Sequence, residues 1–165
     1  MNINKQKKDS GFSLIEMVVV VGSFGIIIVA VISTILMTFK SQNMVKSNNK
    51  INENGRSILA ELRRNVFNSD SGYITCGVGG SSVTVTNQKD RGVTTLVCRG
   101  NNIASNSAIL NSGEVTAYDC QNFTTCNLKS GSSEVASVDF SFGLRTTTIG
   151  VATTQLFSTS ITTRN

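Results

Sequence analysis

The sequence of 165 residues contains no histidine, no proline and no tryptophan, and only 15% of its residues carry a charge. The absence of histidine excludes a Ser-His-Asp triad, a Cys-His catalytic pair and every metal site with an imidazole ligand. Serine and threonine together number 39 and asparagine 17, so most polar side chains are neutral. Such a composition favours strands and loops over long soluble helices, and the length fits one domain with an appendage.

The formal charge of +5 is concentrated in the N-terminal third of the sequence. Residues 1–11 contribute +2, residues 12–39 contribute −1 and residues 40–67 contribute +4. Residues 68–165 contain six basic and six acidic side chains and are neutral. Because a nucleic-acid-binding domain normally carries a basic stripe, the neutral C-terminal part does not indicate a direct nucleic-acid site.

A run of 28 residues from Phe12 to Phe39 contains a single charged side chain, Glu16. A helix of that length spans about 42 Å at ~1.5 Å per residue, whereas the hydrocarbon core of a bilayer is about 30 Å thick. Lys5, Lys7 and Lys8 precede the run. The positive-inside rule therefore predicts a single pass through the cytoplasmic membrane, with the N-terminus in the cytoplasm and residues 40–165 outside.

A secretory signal peptide and an ordinary membrane anchor are two alternative interpretations of this apolar run. A signal peptide has a shorter apolar core followed by a small-x-small cleavage site, whereas this run ends in Leu36-Met37-Thr38-Phe39-Lys40. An ordinary anchor stays open, but it does not account for Glu16. Since a carboxylate at the centre of a membrane helix costs about 2.5–3.5 kcal/mol, Glu16 is a candidate functional residue.

The junction that leads into the apolar run reads Lys7-Lys8-Asp9-Ser10-Gly11-Phe12-Ser13-Leu14-Ile15-Glu16. It resembles the N-terminal signal of type IV pilins and pseudopilins, in which a short basic leader is followed by Gly, Phe, three mostly apolar residues and Glu. Gly11, Phe12 and Glu16 match that pattern residue by residue. The resemblance implies that residues 1–11 are a leader peptide, that a prepilin peptidase cleaves after Gly11, and that the same enzyme N-methylates Phe12.

The resemblance also implies partners and a place of action. The partners are other pilin or pseudopilin subunits, an inner-membrane assembly platform and the lipid bilayer, and the product is a pilus or pseudopilus filament. Many major pilins carry a proline in the helix, which is absent here, so the resemblance favours a minor pilin. Two further segments, Asn54–Arg64 and Phe157–Asn165, resemble minor pilins and J-like pseudopilins less specifically.

The position of Glu16 also suggests a physical role for it in filament assembly. After cleavage Phe12 would carry an α-ammonium four residues before Glu16, on the same helical face. In a filament the carboxylate of one subunit is expected to neutralise the terminal amine of the incoming one. A pair about 4 Å apart is worth roughly 4 kcal/mol at an effective dielectric near 20, before desolvation is subtracted. Gly22 and Gly25 are either tolerated in the span or mark close helix approach or local unwinding.

The helix is predicted to continue to about Phe67, with residues 12–39 as its transmembrane and assembly half and residues 40–67 as its amphipathic half. Gly55 weakens the middle of this helix by propensity, and Asn68–Gly72 is a credible stop. The basic residues of the amphipathic half form a solvated face, or they contact anionic headgroups or an acidic neighbouring subunit.

Residues 68–165 are predicted to form an extracytoplasmic, β-rich head. Period-two alternation of β-branched residues marks four strands, namely Ser82–Asn87, Val93–Cys98, Val135–Leu144 and Gln155–Thr162. Val138, Phe140 and Phe142 alternate on one face, which fits a sheet packed on the apolar side of Ile58–Val66. The expected fold class is α+β, a long N-terminal helix packed on an antiparallel sheet, and the resemblance makes it pilin-like.

All four cysteines follow the apolar run and are expected to form disulfides. Of the three possible connectivities we favour Cys76–Cys98 with Cys120–Cys126, each bridge being worth roughly 2–4 kcal/mol. A Cys₄ zinc site is the alternative, although no Cys-x-x-Cys pair is present.

Other candidate chemistry is weak. Glu114, Asp119 and Asp139 are scattered acids without the spacing of a calcium loop, and Gly77–Gly80 lacks the Lys-Ser/Thr of a phosphate loop. No nucleophile-base pair is present, so the sequence predicts neither an enzyme nor a cofactor. The preferred function is a type IV pilin-like subunit. The alternative is a membrane-tethered extracytoplasmic binding or adhesion module that does not depend on filament assembly.

Overall fold

The computed structural model describes residues 11–69, 73–87, 91–148 and 151–163, and this part of the chain forms one α-helix and nine β-strands. The helix, α1, runs from Leu14 to Phe67. The strands are β1 (Ile74–Cys76), β2 (Ser82–Thr86), β3 (Val93–Arg99), β4 (Asn102–Ser105), β5 (Ala108–Ile109), β6 (Val115–Tyr118), β7 (Thr124–Leu128), β8 (Val135–Thr148) and β9 (Val151–Thr162). The chain divides into two compact units, Met1–Gln42 and Asn43–Asn165.

In the first unit α1 exposes every side chain that the structure describes, from Leu14 to Gln42. Valine and isoleucine dominate this stretch, although both have only modest helix propensity. The helix nevertheless pairs its backbone N–H and C=O groups internally, as an apolar surrounding requires. By length and composition α1 is suited to crossing a membrane.

In the second unit α1 is amphipathic, as predicted, and one narrow stripe of it is buried. The buried residues recur at intervals of three or four, which places them on one face of a helix. They are Ser47, Ile51, Gly55, Ile58, Leu62 and Val66. The helix ends at Phe67, the predicted position, and the Ser69 hydroxyl then donates to the Val66 carbonyl at 2.7 Å. Residues 70–72 of the predicted stop lie outside the described residues.

The first sheet is an antiparallel meander in the order β1-β2-β3-β4-β5. Its core face is formed by alternate residues, so that Val83 pairs with Leu96 and Cys98 pairs with Ile103 in register. All four are buried, because side chains alternate between the two faces of a strand.

The second sheet is built around β8, its longest strand. β9 follows one side of β8, from Ser137 opposite Thr162 to Thr148 opposite Val151. β6 and β7 share the other side, β6 opposite residues 143–146 and β7 opposite residues 135–140. Every pairing in both sheets is antiparallel.

The buried stripe of α1 and the inner faces of both sheets form one hydrophobic core. Val138, Phe140 and Phe142 are buried on the inner face of β8, as their alternation predicts. Phe123 makes an edge-on contact with Phe140, the ring centroids lying 5.5 Å apart. The α+β fold class, with a long helix packed on antiparallel sheet, is therefore confirmed.

All four predicted strands are present, and the structure adds five short ones. β2 and β3 agree with prediction to within a residue at each end, whereas β8 and β9 extend beyond the predicted Leu144 and Gln155 into a longer hairpin. The additional strands, β1 and β4–β7, have two to five residues each, too few for period-two alternation to stand out.

Candidate functional site

The N-terminal residues singled out by the sequence lie at the start of α1. The carbonyl of Ser13 accepts hydrogen bonds from the backbone N–H groups of Glu16, at 3.0 Å, and Met17, at 3.3 Å. The helix therefore begins at Leu14, two residues after the predicted start, and Phe12 precedes its first turn. Gly11 and Phe12 are exposed, Phe12 to 76% of its surface.

Glu16 is an exposed carboxylate in the first turn of α1. The unpaired N–H groups at the start of a helix give that end a partial positive charge, which favours an anionic side chain there. No side-chain hydrogen bond or ion pair joins Glu16 to another residue in the described ranges. The carboxylate is thus held near the start of the helix with its oxygens open to a partner.

The hydroxyl side chains of the apolar half behave differently from Glu16. Each donates to a backbone carbonyl three or four residues earlier, over 2.8–2.9 Å. The four donors are Ser23, Ser33, Thr34 and Thr38. Because these bonds satisfy the hydroxyls within the helix, they allow polar residues in an apolar surrounding. Between Leu14 and Phe39, which the structure describes throughout, only Glu16 has a polar side chain without such a bond.

The apolar surface around Glu16 is continuous. Nineteen large hydrophobic side chains from Phe12 to Phe39 are exposed, a far larger surface than single exposed residues explain. Gly22 and Gly25 have no atom within 4 Å of the point where a side chain would begin, apart from their own helix. The first unit accordingly presents an apolar, exposed helical surface along the described residues from Phe12 to Phe39.

The cysteines form two disulfides, but the favoured pairing is wrong. Cys76 pairs with Cys126 and Cys98 with Cys120, the Cα atoms lying 6.3 and 5.3 Å apart. In the first sheet β2 lies between β1, which carries Cys76, and β3, which carries Cys98. Strands two places apart are separated by about 9.6 Å, more than the roughly 7 Å that a disulfide bridges. Each bridge instead joins the first sheet to the β6–β7 segment.

The scattered acids have separate surroundings. Glu114 accepts an ion pair from Lys50 of α1, and Asp139 accepts a hydrogen bond from the Asn127 amide at 2.8 Å. Asp119 has a positive φ of 58° beside Cys120. In the part of the chain that the structure describes, no three metal-ligating side chains come together. Gly77–Gly80 leads into strand β2 rather than a helix, which is not the context of a phosphate loop.

One feature of the second unit was not predicted. Arginines on α1 and the outer edge of β9 line a groove of about 690 Å³. The sequence shows these arginines as part of a basic helix face, and only the position of β9 makes that face one wall of a groove.

Comparison of the chain with protein-family models, with curated proteins and with solved structures finds no match.

Proposed function

We propose that this protein is a type IV pilin-like subunit, a minor pilin or a pseudopilin, that assembles through α1 into a pilus or pseudopilus. In this proposal prepilin peptidase removes residues 1–11 and N-methylates Phe12. The protein first resides in the cytoplasmic membrane with its head outside and then joins a filament. The observation that carries the proposal is Glu16, a carboxylate at the start of an exposed apolar helix that is paired with no other residue the structure describes.

The energetics of Glu16 favour a partner of a particular kind. A bare carboxylate in an apolar surrounding is unfavourable, and the four hydroxyls between Leu14 and Phe39 are all satisfied within the helix. A positive group that docks near the carboxylate removes this cost. The α-ammonium of a processed Phe12 on a neighbouring subunit is such a group, and the helix surface around it is apolar on both partners. Docking therefore has a charge requirement that also sets the axial register.

The position of Phe12 supports processing. Gly11, Phe12 and Ser13 are exposed and precede the helix, so the peptide bond between Gly11 and Phe12 lies outside the hydrogen-bonded turns. A peptidase needs an accessible bond outside regular secondary structure, and this bond meets both conditions. The first experiment is co-expression with a prepilin peptidase, followed by intact mass and N-terminal sequencing. We expect a chain that begins at Phe12 and is one methyl group heavier than the unmodified chain.

The second experiment tests Glu16 directly. Glu16→Gln removes the charge and keeps the shape, so membrane insertion and leader cleavage should persist while incorporation into sheared filaments falls by about tenfold or more. Glu53→Gln is the matched control, because Glu53 is an exposed glutamate on the same helix but within the second unit. Normal incorporation of Glu16→Gln would contradict the pairing of Glu16 with a neighbouring terminus.

The alternative function makes a different prediction for the same samples. A membrane-tethered binding or adhesion module would remain uncleaved in the membrane fraction in the presence of active peptidase, and it would be absent from sheared filaments. That combination would overturn the pilin-like proposal.

A further inference from the structure

The groove described above lies within the second unit, between α1 and β9. Its α1 wall comes from residues 56–67 and includes Arg56, Arg63 and Arg64. Leu59 and Phe67 give this wall an apolar part, and Phe67 is 63% exposed. The opposite wall is the last part of β9, Ser160–Thr162. The groove thus combines positive charge, apolar surface and the edge of a strand.

The edge of β9 is not paired. β9 pairs with β8 and with no other described strand. The N–H of Thr163, just after β9, donates to the Ala136 carbonyl on the β8 side at 3.0 Å. Because backbone groups alternate in direction along a strand, the N–H and C=O groups of Ser158, Ser160 and Thr162 point to the opposite, open side. They have no backbone hydrogen bond to another described residue there.

The arginines of the groove have no acidic partner in the described ranges. The two ion pairs there involve Lys50 and Lys129. Arg63 donates to the hydroxyl of Thr159, a neutral group, at 3.2 Å. Within the described ranges, three guanidinium groups therefore lie near an open strand edge with no acidic side chain paired to them, which favours an anionic ligand.

We propose that this groove binds an extended acidic segment of a partner protein, which adds to β9 as a further strand. The added backbone would pair with the open groups of Ser158, Ser160 and Thr162, as in other cases of strand addition. Side chains alternate along a strand, and the odd-numbered residues Thr159 and Ile161 face the α1 side. Every second side chain of the added strand therefore meets the arginines, and the partner carries Asp or Glu at alternate positions.

A second copy of this protein does not fit that description. Its ten acidic residues include no two that stand two positions apart, so no segment of it presents alternate carboxylates. The partner is therefore a different protein. This inference goes beyond the proposed function, because it concerns the second unit and does not require processing or filament assembly.

The test uses the full-length protein in detergent micelles and a fluorescein-labelled synthetic peptide in which Glu alternates with Thr. We expect saturable binding by fluorescence anisotropy, weakened about tenfold by Arg56→Gln combined with Arg64→Gln. Arg99→Gln combined with Arg145→Gln is the matched control, since it removes the same charge from exposed sites outside the groove. The same peptide with Lys in place of Glu should not bind.

A second arm separates strand addition from charge attraction alone. Two versions of the peptide are methylated on alternate backbone nitrogens, so that each version lacks N–H donors on one side of the strand. We expect about tenfold weaker binding for the version that lacks the donors facing β9. Ser160→Pro removes an open-edge donor but leaves the bonds between β9 and β8 in place, because proline is tolerated on that side of an edge strand. The methylated peptides act on unaltered protein, so they give a result even where Ser160→Pro does not fold.

Two results would overturn the proposal. If both methylated peptides and Ser160→Pro bind normally while the double arginine variant does not, the groove attracts charge without adding a strand. If the Glu peptide fails to bind and phosphatidylglycerol vesicles bind through the same arginines, the ligand is an anionic lipid surface instead. Filament incorporation of Glu16→Gln is a separate measurement. The pilin-like proposal and the groove proposal can therefore fail independently of each other.

Discussion

The aromatic ring of Phe157 on β9 packs directly against the backbone of Gly55 in the middle of α1, in the space that a side chain at residue 55 would occupy. The same ring stacks on Phe142 of β8, with centroids 5.6 Å apart and planes inclined by 18°. The helix and the second sheet approach each other closely because residue 55 has no side chain. The glycine that weakens the helix by propensity is thus the glycine that allows it to pack.

Gly55→Ala should destabilise the second unit, although alanine is the better helix former. The added methyl group overlaps the Phe157 ring, and overpacking of a core typically costs about 1–3 kcal/mol, against about 1 kcal/mol gained in helix propensity. We expect a lower urea midpoint, measured by circular dichroism of the full-length protein in detergent. Gly113→Ala is the control, because residue 113 has open space around it. Adding Phe157→Leu should recover part of the loss, and a purely additive double variant would contradict the contact.

Ser47→Ala should stabilise the second unit. The Ser47 side chain is fully buried in α1, and its hydroxyl has no hydrogen-bond partner in the described part of the chain. Removing an unsatisfied buried hydroxyl and gaining helix propensity should together raise the free energy of unfolding by about 1–2 kcal/mol. Ser57→Ala, at an exposed position of the same helix, measures the contribution of helix propensity alone. A loss of stability in Ser47→Ala would mean that the hydroxyl is bonded.

Asn111→Ala should be strongly destabilising, because Asn111 pairs backbone groups of two strands. Its side-chain oxygen accepts from the N–H of Ile103 on β4 at 2.9 Å, and its amide donates to the carbonyl of Val115 on β6 at 2.6 Å. Alanine leaves both groups buried and unpaired, at about 1–3 kcal/mol each. Asn127→Ala is the control, since its bonds lie at the exposed surface and should be worth less than about 1 kcal/mol. Equal effects of the two changes in urea denaturation would contradict the role of Asn111.

The disulfide pairing can be read from peptides without reduction. Trypsin separates Cys76, on residues 65–89, from Cys98, on residues 92–99, and leaves Cys120 with Cys126 on residues 100–129. The structure predicts that all three peptides remain linked in one species. Further cleavage after Phe123 should then resolve Cys76–Cys126 from Cys98–Cys120. Recovery of peptide 65–89 linked only to peptide 92–99 would instead show a Cys76–Cys98 bridge and contradict the structure.

The elements that could be predicted are those whose residues have a clear period. The helical repeat from Ile51 to Val66 correctly predicts that α1 continues to Phe67, and the alternation at Val138, Phe140 and Phe142 correctly predicts the inner face of β8. Both patterns arise because one face of the element is buried, and burial of one face produces a regular spacing of apolar residues in the sequence. Strand β5 has two residues and exposes both, so no such pattern exists for it.

Other features depend on which distant residues meet, and a single sequence does not contain that information. Cys76 and Cys98 look like partners because they are neighbours among the cysteines, and only the order of strands in the first sheet keeps them apart. Asn111 looks like an ordinary loop residue until it is seen between two strands. Gly11, Phe12 and Glu16 are the opposite case, because the pattern that singles them out is local.

The two disulfides are nested, with the Cys98–Cys120 bridge inside the loop closed by Cys76 and Cys126. A ribosome delivers the four thiols in sequence order, so Cys98 is the first available partner for Cys76, and that pair is not native. Oxidation in strict order of synthesis would therefore trap the head with a bridge that the finished first sheet forbids. The native pairing therefore needs Cys76 to stay reduced until Cys126 is available, or a thiol exchange that rearranges a premature Cys76–Cys98 bridge.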